Sequence, residues 1–192
     1  DTRENADKST AKTTKKESFA EKKDADTSNS QYLTGKHHAE IVIAEYGKLE
    51  LELDADVAPI TVTNFVNLVK KGFYNGLTFH RIMSGFMIQG GDPNGDGTGG
   101  SEESIKGEFK SNGVENTMSH KRGVISMART QNDPDSASSQ FFIVQADSDF
   151  LDGDYAAFGK VTEGMDIVDE IDNNGTVPAD QQPKITAIKV ID

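Results

Sequence analysis

The sequence places one arginine, Arg81, among large apolar residues in two stretches of the chain. The members of this cluster are Phe79, Arg81, Phe86, Met87, Gln89, Gln140, Phe141, Phe142, Phe150 and Leu151. A guanidinium stays charged at any working pH, so Arg81 would be a permanent hydrogen-bond donor beside an apolar surface. By residue type alone, however, an isolated arginine in a strand is usually a surface charge, and a Phe/Met cluster is usually core. Both interpretations stay open at this point.

The Gly- and Asp-rich segment 90–103 matches two ligand-binding patterns. The calcium-loop pattern D-x-[DN]-x-[DN]-G-x5-E is filled by Asp92, Asn94, Asp96, Gly97 and Glu103. This loop follows a Gly-rich strand rather than a helix, so we favour a turn with solvated carboxylates over a calcium site. Gly95, Gly97 and Gly100 also satisfy G-x-G-x-x-G. No capped helix follows directly, so nucleotide binding is not expected.

A second acidic cluster consists of Asp147, Asp149, Asp152 and Asp154. Paired carboxylates could hold a cation or perform acid/base chemistry, but such a cluster is more often a loop. The serines lack the G-x-S-x-G setting and His120 lies in a polar stretch, so a nucleophilic triad is not expected. We therefore expect neither a metal nor a cofactor.

Composition and charge exclude several classes of protein. The 192 residues carry 20 Lys+Arg against 32 Asp+Glu, a net charge of -12 that repels phosphate backbones, so we expect no nucleic-acid partner. Cysteine is absent, which removes disulfides and thiolate metal sites. No apolar run approaches the roughly 18 residues of a membrane span. The length fits one domain with a core of modest size.

The charge divides the chain into two parts. Residues 1–38 hold 8 Lys+Arg and 7 Asp+Glu, whereas residues 39–192 hold 12 and 25, a net of 12 minus 25, or -13. Among Leu, Ile, Val and Phe, the first part contains only Phe19 and Leu33, too few to offset the entropy lost on ordering. We predict a charged low-complexity tether, 1–38, and a compact domain, 39–192. A fusion remnant or a marginal helix near Ser18 is the alternative for the tether.

The neutral, Lys/Ser/Thr-rich leader starts at Asp1 without a methionine. Such a leader before a folded domain is typical of a chain whose secretory or lipoprotein signal has been removed. We therefore expect an extracellular or cell-surface location, with a lipid anchor upstream of Asp1 as one form of it. A trimmed protein of the cytoplasm is the alternative.

The domain is predicted to be mostly β. Apolar alternation from residue 39 predicts a hairpin with a turn at Gly47. Pro59 opens a helical segment that Thr61 or Thr63 could cap and Gly72 could end. Further strands are predicted at 77–83, 86–91, 123–129, 140–145, 157–161 and 185–191, and a second helix at 163–172. Because the strands lack long apolar runs, we expect a closed eight-stranded antiparallel barrel with two flanking α-helices.

Six motifs resemble those of the cyclophilins, a family of peptidyl-prolyl cis-trans isomerases: FHRIMSGFMIQGGD, GTGG, GVISMART, SQFFIV, FLDG and FGKV. Their order and intervals also agree with the family over residues 39–192. The resemblance implies a cyclophilin-like fold and an enzyme that accelerates X-Pro bond rotation in protein substrates, assisting folding. The expected partners are proline-containing unfolded or flexible polypeptides. A non-catalytic proline-loop binding module or chaperone at the cell surface is the alternative.

The resemblance also implies roles for single residues. Arg81 matches the catalytic arginine of the family, and Gln89 the glutamine that organises it. The substrate-binding positions fall on Phe86, Met87, Ala128, Arg129, Thr130, Gln140, Phe142, Phe150, Leu151 and Tyr155. Among these, a proline pocket would be formed by Phe86, Met87, Phe142 and Leu151. The main chain of 128–130 would bind the peptide backbone.

The sequence departs from the family pattern at three places. Many relatives carry Asn-Ala where this chain has Arg129 and Thr130, and the best-known members place a tryptophan at Phe150 and a histidine at Tyr155. The main-chain hydrogen bonds of the stretch are expected to survive these changes. Phenylalanine cannot supply an indole N–H donor, so we expect cyclosporin to bind more weakly than it binds those members.

Overall fold

A computed structural model describes residues 31–192 of the chain. Most of the predicted tether, including the candidate helix near Ser18, lies outside the described residues. Strand β1 begins at Lys36, and the backbone N–H of Leu33 donates to Thr63 Oγ1 at 2.9 Å. The folded part therefore includes a few residues before position 39. None of the helices within 31–192 is long and apolar enough to cross a bilayer.

The described chain forms eight strands and two α-helices, as expected from the sequence. The strands are β1 (Lys36–Ile43), β2 (Gly47–Asp54), β3 (Phe79–Met83), β4 (Met87–Gly90), β5 (Val124–Met127), β6 (Phe141–Val144), β7 (Ala157–Glu163) and β8 (Ile185–Val190). The helices are α1 (Pro59–Lys70) and α2 (Met165–Asn174). Three short 3-10 helices cover Lys110–Asn112, Asp149–Leu151 and Ala179–Gln181.

All eight strands belong to one antiparallel sheet in the order β3-β4-β6-β5-β7-β2-β1-β8. The predicted closed barrel is wrong. Within the described chain, the two end strands are connected by one isolated bridge, Thr78 to Lys184, and not by a ladder. The sheet is an open, curled half-barrel.

The segment between α2 and β8 explains why the barrel does not close. It runs along the outer edge of β3, where Ile82 N–H donates to Thr176 Oγ1 at 2.9 Å and the same hydroxyl donates to Ile82 O at 3.1 Å. Ile82 is therefore unavailable to β8, and in the described residues the sheet ends meet only through the bonds of the isolated bridge, from Phe79 N–H to Pro183 O and from Ile185 N–H to Leu77 O. A covered edge also protects β3 from pairing with another chain, which closure would have done by a different route.

The N-terminus of α1 is capped from a distant part of the chain. Neither Thr61 nor Thr63 is the cap, contrary to the expectation. The carboxylate of Glu108, only 1% exposed, accepts the N–H groups of Ile60 at 3.3 Å and Thr61 at 2.6 Å, and the hydroxyl of Thr61 at 2.7 Å. Burial raises the pKa of Glu108, although these hydrogen bonds oppose the shift. The helix dipole also favours a carboxylate at this end.

Strands β4, β5 and β6 present different residues on their two faces, because successive side chains of a strand point in opposite directions. One face contributes Ile88, Ile125, Met127, Phe141 and Ile143 to the main core. The other face contributes Met87, Val124, Phe142 and Val144 to a smaller cluster, which Leu151 and Ala157 complete. In the main core, Phe65 of α1 packs edge-on against Phe141, with ring centroids 5.8 Å apart.

A buried histidine supports the smaller cluster from behind. His120 is 1% exposed, its Nδ1 lies 2.8 Å from Asp152 Oδ1, and its Nε2 lies 2.8 Å from Ser126 Oγ. The imidazole stacks on Phe142 with 6.1 Å between ring centroids. Asp152 also accepts the N–H of His120 at 2.7 Å. Because Asp152 directly follows the 3-10 helix Asp149–Leu151, this network anchors that helix to the sheet.

The charge states of this network follow from its surroundings. Burial lowers the pKa of His120, although Asp152 opposes the shift. Burial would raise the pKa of Asp152, but hydrogen bonds from Ser119 and His120 outweigh it and lower that pKa. An ionised Asp152 can only accept a hydrogen bond, so the Nδ1 of His120 carries the proton and donates to it. The Nε2 of the neutral ring then accepts a hydrogen bond from the hydroxyl of Ser126.

We predict that His120 makes the protein less stable at mildly acidic pH. A histidine whose folded pKa is lowered stabilises the fold fully above its unfolded pKa, near 6.5, and loses this contribution as the pH falls through the folded pKa. The free energy of unfolding of the wild type should therefore fall between pH 7.5 and 5.0 by up to about 2 kcal/mol from this residue. In His120→Gln the fall should be smaller, as measured by urea unfolding at both pH values.

A matched variant separates titration from the loss of a contact. Ser126→Ala removes a hydrogen bond to the same ring but keeps the titrating group, so its pH dependence should resemble that of the wild type. Part of the slope should survive in His120→Gln, because burial also lowers the pKa of His80. The same slope in wild type and His120→Gln would contradict the prediction.

Candidate active site

The sheet register places Arg81, Gln89 and Phe142 side by side. Arg81 of β3 pairs with Gln89 of β4, and Gln89 pairs with Phe142 of β6. Ser126 of β5 pairs with Phe142 on its other side. The four residues form a row across four strands, on the face opposite the main core. Cross-strand neighbours lie close enough for their side chains to interact directly.

A chain of hydrogen bonds orients the guanidinium of Arg81. Its Nη1 donates to Gln89 Oε1 at 3.3 Å, and Gln89 Nε2 donates to Gln140 Oε1 at 2.9 Å. The Nε2 of Gln140 then donates to the carbonyls of Gly97 at 3.1 Å and Gly99 at 2.7 Å. Gln89 is buried, so both ends of its amide need a partner, and only one orientation of the amide provides this. In that orientation the oxygen Oε1 faces Arg81 and accepts its hydrogen bond.

The row borders a cavity of about 320 Å³. Its lining residues are Arg81, Phe86, Met87, Gln89, Ala128, Arg129, Gln131, Phe142, Phe150, Leu151 and Tyr155. The structure thus brings together ten of the twelve residues predicted for the site. The other two, Thr130 and Gln140, line an adjacent polar cavity of about 410 Å³, which shares Gln89, Ala128 and Arg129 with the first.

The first cavity has an apolar floor and an exposed aromatic rim. Met87, Phe142 and Leu151 are buried, and the edge of Phe142 meets the ring of Tyr155 at 5.8 Å. Phe150 is 72% exposed, and its ring centroid lies 5.5 Å from that of Phe86. A cavity of this kind can desolvate a small apolar ring while Arg81, at its border, offers a charged donor to an atom of the same ligand.

The main chain of 128–130 is only partly available to a peptide. Ala128 N–H donates to Gln140 O at 3.0 Å, and Thr130 N–H donates to Ser136 Oγ at 2.8 Å. These two N–H groups are therefore already paired within the protein. No hydrogen bond within residues 31–192 uses the N–H or C=O of Arg129. Among residues 128–130, Arg129 is the one whose N–H and C=O are both unpaired within residues 31–192, so it can pair with an extended ligand.

The calcium-loop pattern belongs to a turn that supports the site. Asp92 is 1% exposed and accepts backbone N–H groups from Asn94 at 2.8 Å, Asp96 at 3.2 Å and Gly97 at 2.6 Å. Burial would raise the pKa of Asp92, but these hydrogen bonds lower it. The sequence analysis expected the carboxylates of this turn to be solvated, but that of Asp92 is buried. Across residues 31–192, no three His, Asp or Glu side chains are grouped as metal ligands.

The second acidic cluster lies in a loop whose carboxylates contact neighbouring residues. Of the two alternatives, a functional carboxylate cluster and an ordinary loop, the contacts correspond to the loop. Lys121 Nζ lies 2.7 Å from Asp149 Oδ1, and Arg122 N–H donates to Asp147 Oδ1 at 2.8 Å. Together with the bonds from His120 to Asp152, these contacts hold the segment that carries Phe150 and Leu151. The carboxylates thus contribute to the cavity by holding the segment that forms part of its wall.

Sequence reasoning missed two contributors to the site. Gln131 lines the first cavity, and its Nε2 lies 3.4 Å from the hydroxyl of Tyr155. Its place directly after 128–130 was the only available signal. His120 supports Phe142, but its partners are 6 and 32 residues away in sequence, so its polar surroundings suggested an ordinary loop.

Comparison with protein families and curated relatives identifies this arrangement. Residues 38–192 match the family model described as cyclophilin type peptidyl-prolyl cis-trans isomerase/CLD. A peptidyl-prolyl cis-trans isomerase of Acinetobacter baylyi is 48% identical over 132 residues, 66% of this chain and 68% of that protein. Peptidyl-prolyl cis-trans isomerase B of Bacillus subtilis is 42% identical over 132 residues, 69% of this chain and 88% of that protein.

Solved structures agree with these relatives. A cyclophilin-type peptidyl-prolyl cis-trans isomerase of Cryptosporidium parvum superposes with a TM-score of 0.74 at 29% identity, covering 82% of this chain and 99% of that one. The same enzyme, crystallised in the presence of the dipeptide Ala-Pro, gives 0.72 at 30% identity and covers 81% and 99%. The chain therefore belongs to the cyclophilin-type peptidyl-prolyl cis-trans isomerases and is an enzyme of that class.

Proposed function

We propose that the 320 Å³ cavity binds the prolyl ring of a flexible polypeptide, and that Arg81 donates a hydrogen bond to the prolyl nitrogen as the X-Pro bond rotates. The observation that carries this assignment is the hydrogen-bond chain from Arg81 through the buried Gln89 to Gln140, which holds the guanidinium at the border of an apolar cavity. A proline substrate is supported by the relative crystallised in the presence of Ala-Pro.

The chemistry requires no proton transfer and no cofactor. The barrier to rotation is roughly 18–20 kcal/mol, whereas the cis and trans X-Pro forms lie within about 1 kcal/mol. Rotation breaks the amide resonance and returns the lone pair to the prolyl nitrogen, which becomes a better acceptor than in either planar state. A donor aimed at this nitrogen therefore stabilises the transition state more than the ground states, which is the condition for catalysis.

The other residues hold one side of the rotating bond. The prolyl ring packs against Met87, Phe142 and Leu151. The free N–H and C=O of Arg129 form hydrogen bonds with the adjacent peptide backbone. With the prolyl side fixed, the prolyl nitrogen stays beside Arg81 while the other side of the bond rotates. The apolar walls also exclude water from the guanidinium contact, which strengthens it.

Replacement of Arg81 should abolish most of the acceleration and leave binding in place. Arg81 is exposed and contributes no apolar surface to the cavity floor, so Arg81→Ala should fold normally. We expect kcat/KM to fall by about 100-fold or more, the usual cost of removing one transition-state donor. NMR exchange measurements on a short X-Pro peptide give the rate, and peptide titration gives the affinity.

Arg122→Ala is the matched control, because it removes an arginine that pairs with Asp169 and does not line the cavity. Unchanged catalysis by Arg81→Ala would remove Arg81 from the mechanism. Binding of proline peptides without acceleration by the wild type would instead identify a binding module on a cyclophilin fold.

Cyclosporin should bind weakly to the wild type and more tightly to Phe150→Trp. Phe150 is 72% exposed at the rim, so a larger ring can be accommodated there, and the indole supplies the N–H donor that phenylalanine lacks. One added hydrogen bond predicts an affinity gain of about three- to tenfold, measurable by calorimetry. Phe150→Tyr, which adds a polar group but no indole N–H, is the control. Equal affinities of wild type and Phe150→Trp would contradict this explanation.

We further propose that the protein acts outside the cytoplasm, with residues 1–38 as a tether between an anchor and the domain. The support is the contrast between a balanced, apolar-poor leader and a domain of net charge -13. Fractionation of cells that express the natural gene, followed by treatment of intact cells with protease, tests the location. We expect the domain to be degraded by external protease or to be found in the medium. Recovery in the cytoplasmic fraction alone would refute the proposal.

A further inference from the structure

The proline cavity carries positive charge on a strongly acidic protein. The chain has a net charge of -12, yet the cavity lining contains two arginines and no aspartate or glutamate. Arg81 is accounted for by the mechanism above. Arg129, on the opposite wall, is a second guanidinium that rotation of the X-Pro bond does not require.

The side chain of Arg129 is held in place by contacts that do not neutralise it. Its Nε donates to Asp154 O at 2.8 Å and its Nη1 to Thr130 O at 3.1 Å. The guanidinium carbon lies 4.9 Å from the ring centroid of Phe109 and 5.1 Å from that of Tyr155. Carbonyls and aromatic faces attract a cation, but they carry no formal charge.

One nitrogen of this guanidinium, Nη2, is unpaired within residues 31–192. Within residues 31–192, Nη2 has no hydrogen-bond acceptor, and no carboxylate lies within 4 Å of Arg129. Arg122 provides the contrast, because both of its Nη atoms bind the carboxylate of Asp169, at 2.6 and 2.7 Å. In a protein with 32 acidic residues, a fixed and unpaired guanidinium beside the substrate is available for an acidic group of the ligand.

We propose that Arg129 selects substrates with an aspartate or glutamate next to the proline. The proposal rests on the proposed function, since it concerns the polypeptide that the same cavity binds. Arg129 lines both cavities, so a peptide that leaves the proline cavity toward the polar one passes its side chain. The free main chain of Arg129 would hold the peptide backbone at this point, which brings a neighbouring carboxylate within reach of Nη2.

The size of the effect follows from exposure. Arg129 is half-buried, and ion pairs in partly exposed positions have modest strength. We therefore expect an acidic peptide to be preferred over a neutral one by about two- to fivefold in kcat/KM. Glu102 is the acidic residue that lines the polar cavity, and its negative charge should reduce this preference. Salt should weaken the selection, since mobile ions screen such pairs.

The test uses X-Pro peptides that differ in one residue. Glu, Gln and Lys are placed in turn directly before the proline and, in a second series, directly after it. The wild type should convert the Glu peptide of one series about two to five times faster than the Gln peptide, in kcat/KM, with the Lys peptide slowest. Measurements at 50 and 500 mM salt should show this ratio falling toward one.

Variants assign the preference to one guanidinium. In Arg129→Gln the ratio of Glu to Gln peptide should fall to about one, whatever happens to the absolute rates. Lys189→Gln, which removes the same charge from an exposed position of β8, should keep the wild-type ratio. A wild type that isomerises all peptides equally, or a ratio that survives in Arg129→Gln, would overturn the inference while leaving the isomerase intact. A wild type inactive on every peptide would overturn the proposed function itself.

Discussion

The alternation of side chains along β4, β5 and β6 is the constraint on which the rest of the molecule depends. Ile88, Phe141 and Ile143 fill the main core, and the residues between them form the groove on the other face. A slip of one residue in β4 would drive Gln89 into the core and Ile88 into the groove. The packing that stabilises the fold therefore also holds Gln89 and Phe142 in their positions on the groove.

The polar chain from Arg81 extends this constraint into the loops. Gln89 is buried, and burying an amide is favourable only when its groups are satisfied, as they are here by Arg81 and Gln140. Gln140 in turn needs the carbonyls of Gly97 and Gly99, and Asp92 fixes that turn through its backbone N–H groups. The segment that resembled a calcium loop thus serves to orient the guanidinium.

Sequence reasoning succeeded where a signal lies within one short stretch. The strands and helices follow from local periodicity, and the motifs of the groove lie within single strands and their adjoining turns. It failed where partners are distant: Glu108 caps a helix 47 residues earlier, and Thr176 covers an edge at Ile82, 94 residues away. The prediction of a closed barrel failed for the same reason. The number of strands does not reveal which segment occupies the last edge of the sheet.

The two proposed roles of the groove arginines would appear in different kinetic constants. In the proposed mechanism Arg81 meets an acceptor that becomes strong only as the bond twists, so its contribution would lower the barrier and appear in kcat. Arg129 would meet a side-chain carboxylate whose charge is the same in cis, trans and transition states, so its contribution would be uniform binding and appear in KM. Rate and selectivity can therefore change independently, since Arg81 is held through Gln89 and Arg129 through Asp154 and two aromatic rings. On these proposals, a change at Arg129 would alter selectivity without displacing Arg81.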